Sequence, residues 1–374
     1  MSISVFLIDL VENVRNEHDH HQEQIISQYY YSKLCKKMRD RSIHLRKGFG
    51  ATFESIYSID FIHDDENRNN TNHSTLDSST NPSSEYSPMK LSPYVIRICY
   101  TSHLILVGNS DKEFHSIEFF DLNTKKHLHS FAIESVPFYL CVEENDVFCS
   151  GQKSRRVLRD EPCFLFSEDS YIWKYKLKNI QIHFGKQGKD SSSSTTTTTC
   201  EWKQEIQNAT SLAIQYSKDH DPYQNLLYIC SGLSIHVLNS VSGQLLATMD
   251  MSSSLTSNII CLEVLEASEE LILFSRDRFY RMSKKYVNDI NSWAITTEFG
   301  HQSDHSNVVD ISHDRMNHLL IACDYASPEE HLLVFKDDEQ FVRRFDQPGA
   351  VTCCLNERDG ILLVGQRGSI VFYR

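Results

Sequence analysis

Residues 95–131 read VIRICYTSHLILVGNSDKEFHSIEFFDLNTKKHLHSF and contain the pattern that decides the fold. Four strand-like runs begin at Val95, Leu104, Ile117 and Lys126, and polar turn residues separate them. Short runs rich in β-branched and aromatic residues predict strands, and the gaps are short enough for tight connections. This stretch is therefore predicted to form a unit of four strands joined by three tight connections.

The same layout returns along the rest of the chain. Aligned first strands begin at Val95, Val136, Leu212, Ile260, Val309 and Val351, which gives steps of 41, 76, 48, 49 and 42 residues by subtraction. The longest step contains a Ser/Thr-rich insert, so the underlying period is roughly 40–50 residues, as in propeller repeats. Sheets arranged around an axis bury both faces, which explains why these strands are apolar on both sides. The sequence predicts an all-β, six- or seven-bladed β-propeller of four-stranded blades.

These units resemble the repeats of the WD-repeat family. The stretches Phe120–Lys125 and Leu238–Gly243 resemble that family's hairpin between the third and fourth strands. The dipeptide Gly300-His301 precedes the runs 308–311 and 319–322, as the family's Gly-His dipeptide precedes its first two strands. The Trp-Asp dipeptide is absent and Gly-His occurs once, so the blade number stays open between six and seven. The resemblance implies a platform for binding other proteins.

The ring needs one more strand than the C-terminal repeats supply. The last unit stops at Ser369–Arg374, which corresponds to a third strand. An unpaired sheet edge would leave backbone groups without partners and invite aggregation. We expect Thr52–Phe61 to supply the missing strand and close the ring.

Composition limits the class of protein. The chain has 374 residues with a 40% hydrophobic fraction, enough for a large globular domain. Lys+Arg total 37 against 50 Asp+Glu, a net charge of 37 − 50 = −13 that repels nucleic acid. The 11 cysteines include no C-x-x-C pair and lie in apolar runs, as in reduced proteins. No signal peptide or membrane span is apparent, so we expect a location in the cytoplasm or nucleus.

Two polar inserts and one N-terminal segment interrupt the repeat pattern. Residues 64–93 and 185–199 are rich in Ser, Thr and Asn and are predicted to be disordered loops. Residues 1–47 are predicted to form a helical module, and residues 48–374 the propeller. These bounds divide the chain into two domains.

The N-terminal segment has helical periodicity. Leu7, Leu10 and Val14 lie at i, i+3 and i+7, and a second apolar stripe begins at Ile26. The stretch Leu34–Asp40, LCKKMRD, resembles the Val-Cys-Lys-Arg-Trp-Arg core of an F-box. That resemblance implies a substrate receptor of a cullin-type ubiquitin ligase, in which residues 1–47 bind the ligase adaptor. The alternative is that these helices pack against the propeller or cap one of its faces.

Motifs for catalysis or cofactor binding are missing. The phosphate-binding glycine patterns do not occur. The motifs G-x-S-x-G and H-E-x-x-H do not occur either. Two clusters could ligate zinc by composition: Glu17-His18-Asp19-His20-His21, and His301 with Asp304, His305, Asp310 and His313. Neighbouring residues point in different directions, so this spacing favours solvated or structural roles. We predict no catalytic residues, no cofactor and no metal.

Candidate partner-binding residues come from the N-terminal stripe and from a basic loop that interrupts the second unit, since loops on a rigid scaffold often carry binding. They are Leu7, Leu10, Val14, Ile26, Leu34, Cys35, Met38, Lys153, Arg155 and Arg156. The leading prediction is a non-catalytic interaction scaffold, and the alternative is the F-box-type receptor. A third hypothesis is an enzyme that uses the propeller's central channel.

Overall fold

The strand-like runs of the sequence pair four at a time into antiparallel sheets. The computed structural model describes residues 49–50, 53–60, 92–110, 115–144, 162–168, 170–184, 200–217, 224–265, 268–276, 278–286, 289–290, 292–300, 307–325, 331–347 and 349–374. Within these residues there are six four-stranded sheets and one helix. No helix in this part of the chain is long and apolar enough to cross a membrane.

Each sheet is one blade, and its strands follow one another in the chain. The strand β1 (Ser55–Asp60) precedes them all and completes the sixth blade. Blade 1 contains β2 (Pro93–Cys99), β3 (Leu104–Ser110), β4 (His115–Asp121) and β5 (His127–Ala132). Blade 2 contains β6 (Tyr139–Glu143), β7 (Cys163–Glu168), β8 (Tyr171–Lys176) and, after helix α1 (Leu177–Phe184), β9 (Cys200–Glu205). Blade 3 contains β10 (Ala209–Gln215), β11 (Leu226–Ser231), β12 (Ser234–Asn239) and β13 (Leu245–Asp250). Blade 4 contains β14 (Ile259–Leu265), β15 (Glu270–Ser275), β16 (Arg278–Lys284) and β17 (Trp293–Phe299). Blade 5 contains β18 (Val308–Asp314), β19 (Leu319–Asp324), β20 (His331–Lys336) and β21 (Phe341–Asp346). Blade 6 contains β22 (Thr352–Asn356), β23 (Ile361–Gln366), β24 (Ser369–Tyr373) and β1.

The first strands of neighbouring blades pack against one another in a closed circuit. The order is β2, β6, β10, β14, β18, β22 and back to β2. Since the circuit closes after six blades among the described residues, the fold is a six-bladed β-propeller. The count of six settles the choice between six and seven that the repeats left open.

The antiparallel order gives the ring two different faces. Turns between first and second strands, and between third and fourth strands, lie at one end of the blades, which we call the AB face. Turns between second and third strands lie at the other end, together with the connections to the next blade, and we call this the DA face. Side chains far apart in sequence can therefore meet on either face.

Burial follows the position of a strand in its blade. In β3 every residue but the last is buried, whereas β5 alternates between exposed and half-buried residues. Inner strands are covered by blades on both sides and fourth strands face water on one side, so their sequences differ accordingly. Seven of the nine described cysteines are buried, as expected for thiols that serve as small apolar side chains.

The ring is closed by the N-terminal strand, as predicted. Strand β1 pairs antiparallel with β24, and backbone hydrogen bonds between Glu54 and Arg374 extend the ladder. The residues before β1 add two anchors: Phe53 stacks on Phe345 at 4.3 Å, and the Phe49 N–H donates to a carboxylate oxygen of blade 5 at 2.7 Å. The closing strand is therefore held by side chains as well as by its backbone.

Two details correct the sequence-based boundaries. Pro93, assigned to the first disordered insert, is the buried first residue of β2. Helix α1 was not predicted; it packs on β5 and β8 and buries Leu177 and Ile180 in the core between blades 1 and 2. The predicted helical module, residues 1–47, and residues 64–91 and 185–199 of the two inserts lie outside the described residues.

Candidate functional site

The inner edge of each first strand has no neighbouring strand, so its N–H groups need other acceptors. Side chains of the preceding blade supply them at equivalent register positions in three places. The bonds run from Leu262 N–H to Ser211 Oγ at 3.0 Å, from Cys353 N–H to Asp310 Oδ2 at 3.1 Å, and from Ile96 N–H to Thr352 Oγ1 at 3.1 Å. These bonds tie consecutive blades together at the axis.

An arginine–aspartate pair crosses the axis at this level. Both terminal nitrogens of Arg97 in β2 donate hydrogen bonds to the carboxylate of Asp310 in β18, at 3.0 and 3.2 Å. Asp310 also accepts from the Tyr139 hydroxyl at 2.9 Å and from Thr352 Oγ1 at 2.5 Å. Burial would lower the pKa of Arg97, but the adjacent Asp310 carboxylate outweighs it and the pKa rises. Four blades therefore meet at one fully paired carboxylate.

Glu263 adds a second carboxyl to the axis. It occupies the register position in β14 that Arg97 occupies in β2, and it is half-buried. Burial raises the pKa of Glu263 to about 7, although the nearby charges of Arg97, His313 and Arg315 act to lower it and Asp310 acts to raise it. Because Asp310 already pairs with Arg97, the site favours a protonated Glu263 over a second negative charge.

The axial side chains thus bond mainly to one another. A cleft between blades 4 and 5 beside Arg281 lies away from the axis and has no room for a water molecule. We assign the axial cluster a structural role, since each oxygen of Asp310 already accepts several hydrogen bonds.

One serine–histidine–glutamate group lies on blade 1. His127 Nε2 lies 2.9 Å from Glu118 and 3.3 Å from Ser130 Oγ, and Ser130 itself donates to Glu118 at 2.5 Å. A catalytic triad uses opposite ring nitrogens for the acid and the nucleophile. Here both contacts involve the same nitrogen, so the group stabilises a buried glutamate and does not activate the serine.

The two described members of the second His/Asp cluster, Asp310 and His313, have separate partners. Asp310 pairs with Arg97, whereas His313 Nε2 lies 2.9 Å from Asp337. Burial would raise the pKa of Asp337, but His313 and His318 outweigh it and lower the pKa. No three metal-ligating side chains come together among the residues that the structure describes. The remaining members of both clusters lie outside the described residues: Glu17, His18, Asp19, His20, His21, His301, Asp304 and His305.

The DA face carries an aromatic cluster drawn from four blades. Tyr94 of blade 1 is 42% exposed and packs edge-on against Phe138 of blade 2 at 6.3 Å. Arg367 of blade 6 lies 5.7 Å from the ring centroid of Tyr325 of blade 5 and donates to its hydroxyl. Burial and the neighbouring Tyr325 phenol raise the pKa of Tyr94. We call these four residues, Tyr94, Phe138, Tyr325 and Arg367, the DA-face patch.

Blade 2 carries a buried carboxylate beside the patch. The Phe138 N–H donates to the Ser167 carbonyl at 3.0 Å, and the next residue is Glu168. Burial raises the pKa of Glu168 even though backbone N–H groups and the Trp173 indole donate to it. The bond from Trp173 Nε1 is 2.8 Å. The DA face thus carries an aromatic surface that contains an exposed arginine and has a buried carboxylate beside it.

Sequence reasoning missed the DA-face patch. Its residues stand at turns and strand ends of different repeats, and no spacing along the chain links them. The one available signal was that Tyr94 and Phe138 lie at the starts of first strands, and Tyr325 and Arg367 in turns between second and third strands, which share one face of a propeller. The residues that were predicted to bind partners all lie outside the described residues: Leu7, Leu10, Val14, Ile26, Leu34, Cys35, Met38, Lys153, Arg155 and Arg156.

Fold and surface together define a six-bladed β-propeller with a structured axis and an aromatic face. Among solved structures the chain is similar to the β-propeller domain of Cps50 (Swd1) from Myceliophteria thermophila, with a TM-score of 0.51 and 11% sequence identity over 76% of this chain and 96% of that one. In total 878 chains of solved structures match, and so common an architecture identifies no single function. No protein-family model and no curated protein matches the sequence.

Proposed function

We propose that this protein is a non-catalytic scaffold that binds other proteins through the DA face of its propeller. The observation that carries the proposal is the DA-face patch, in which Tyr94 and Arg367 are exposed beside Phe138 and Tyr325. Tyrosine and arginine are enriched among residues that dominate binding energy at protein interfaces. The similarity to another propeller domain supports the scaffold fold.

The geometry supports protein binding better than catalysis. The axial residues Arg97, Asp310 and Tyr139 bond to one another, which argues against the central-channel enzyme. The patch instead spans four blades, so a flat partner surface or an extended segment can contact all of it. Rigid blades hold the rings in place, so their side chains lose little conformational entropy when a partner binds.

The test compares proteins retained by the full-length chain and by a Tyr94→Ser/Arg367→Ser variant. The matched control is Leu245→Ser/Leu246→Ser, which removes two leucines of similar exposure (48% and 42%) on blade 3. We expect the patch variant to lose specific partners at least about tenfold while the control retains them. Identical partner lists for all three proteins, each with an unchanged melting curve, would overturn the proposal.

A second candidate function rests on the F-box resemblance of residues 34–40, LCKKMRD. In that case residues 1–47 bind the adaptor of a cullin-type ubiquitin ligase, and the propeller holds the protein to be modified. A Leu34→Asp/Met38→Asp variant of the full chain tests it. Adaptor and cullin subunits should co-purify with the wild-type chain and not with this variant; their absence from both would exclude the receptor.

A further inference from the structure

The third strand of blade 2, β8, carries aromatic side chains at alternate positions. Tyr175, near the end of β8 that precedes α1, packs on Phe131 of blade 1 at 5.2 Å. At the DA-face end of β8 lie the rings of Tyr171 and Trp173, whose centroids are 6.2 Å apart and whose planes are tilted by 56°. These two rings stand beside the blade 2 end of the DA-face patch.

A lysine of the neighbouring strand lies over these two rings. Lys203 of β9 is opposite Trp173 in the strand pairing, and its Nζ lies 3.5 Å from the ring centroid of Tyr171 and 3.9 Å from that of Trp173. Within the described residues no carboxylate forms an ion pair with Lys203, which is exposed. Its ammonium group is therefore held by the faces of two aromatic rings.

The surroundings favour a cation at this position. Glu168 accepts a hydrogen bond from the Trp173 indole at 2.8 Å, which orients the ring, and Glu134 lies close enough to raise the pKa of Glu168 further. Two carboxyl groups behind an aromatic pair add negative potential to the negative faces of the rings. Paired aromatic faces of this kind bind ammonium and, more strongly, methylated ammonium groups.

We propose that the cage formed by Tyr171 and Trp173 binds a lysine side chain of a protein partner, and that Lys203 occupies the cage until the partner displaces it. Contacts between an exposed lysine and aromatic rings are weak, so Lys203 can leave. The DA-face patch and the cage are linked through blade 2, because the Phe138 N–H donates to the Ser167 carbonyl and the next residue, Glu168, accepts from the Trp173 indole. The identity of the ligand as a protein side chain rests on the proposed function; the cation site itself does not.

The first experiment needs no partner. Tetramethylammonium and methylammonium are titrated at constant ionic strength into the full-length protein while the indole N–H signal of Trp173 is followed by NMR and assigned with Trp173→Phe. Lys203→Ala should bind tetramethylammonium roughly 3- to 5-fold more tightly than wild type, because the internal competitor is gone. Tyr171→Leu in the Lys203→Ala background should abolish the gain.

The matched control is Lys176→Ala, which removes a positive charge from the same sheet at a lysine that pairs with Glu201 at 3.1 Å. Equal affinities for wild type, Lys203→Ala and Lys176→Ala would overturn the proposal, because Lys203 would then only pack against the rings. Melting curves of each variant verify that the fold is retained.

The second experiment identifies the ligand class with three pentapeptides, Gly-Gly-X-Gly-Gly, in which X is lysine, trimethyl-lysine or norleucine. Lys203→Ala should bind trimethyl-lysine best and norleucine least. Binding of phosphatidylcholine vesicles without peptide binding would overturn the assignment to a protein partner. If cations bind the cage while the Tyr94/Arg367 variant keeps every partner, the scaffold proposal fails and the ammonium site stands; the reverse result rejects the cage alone.

Discussion

Replacing Glu263 by glutamine should stabilise the folded protein at pH 8 and have little effect near pH 5. The pKa of Glu263 rises from 4.5 to about 7 on folding, a difference of 7 − 4.5 = 2.5. At about 1.4 kcal/mol for each tenfold change in proton affinity, this corresponds to roughly 3 kcal/mol. Because Glu263 is only half-buried, water screens part of the effect, and we expect about 1–2 kcal/mol.

The direction of the expected stability change follows from proton binding. The folded protein holds the proton of Glu263 more tightly than the unfolded chain does, so the contribution of this carboxyl to stability is greatest below pH 4.5 and is lost as the pH rises through about 7. Glutamine cannot ionise and keeps the favourable neutral state at every pH. The variant should therefore become more stable than wild type as the pH rises above 4.5, where the carboxyl of the unfolded wild-type chain ionises.

The assay is urea unfolding at pH 5, 6.5 and 8, followed by circular dichroism, with the midpoint concentration as the readout. Glu205→Gln is the matched control, since it removes the same charge from an exposed position on β9. A midpoint for Glu263→Gln that shifts equally at all three pH values, or a loss of stability at pH 8, would refute the reasoning. Equal shifts would mean that folding does not raise the pKa of Glu263, and a loss at pH 8 would mean that the ionised carboxyl is stabilised on the axis.

Three further perturbations probe the ring. Asp310→Ala leaves Arg97, whose side chain is 16% exposed, without its partner and should cost about 3–5 kcal/mol in urea unfolding, whereas replacing both residues by leucine should recover much of that loss; a single-variant cost below about 1 kcal/mol would contradict the role of the pair. Phe53→Ala removes a 95% buried ring that stacks on Phe345, and should cost about 3–4 kcal/mol; an unchanged midpoint would show that β1 does not need this anchor. Deletion of residues 365–374 removes the partner strand of β1 and should prevent cooperative folding, so a soluble truncation with a sharp melting transition would argue against the closure.

The pattern of strand-like runs and turn residues within each repeat predicted the positions of the blades well. The first strands aligned at Leu212, Ile260 and Val309 all lie within the observed strands β10, β14 and β18. Two starts were slightly early, because the alignment placed Val136 before β6, which begins at Tyr139, and Val351 one residue before β22. The agreement is good because strand length and turn chemistry depend on neighbouring residues.

Helix α1 shows where local pattern stops being sufficient. It has eight residues, and isolated helices this short are unstable in water. Its stability comes from burying Leu177 and Ile180 against the core between blades 1 and 2. That contact depends on the neighbouring blade, so periodicity within residues 177–184 could not predict the helix.

By itself the sequence determined the repeat period, the four-stranded unit and the need for an N-terminal strand to close the ring, because each depends on interactions close along the chain or on simple pairing of backbone groups. Only the tertiary structure decided the blade count and the residues that meet. Arg97 and Asp310 are 213 positions apart, and Tyr139 and Asp310 are 171 apart. The DA-face patch likewise joins four blades. Such encounters depend on how many blades complete the circle and on the register of each first strand, and neither quantity is contained in any local stretch of sequence.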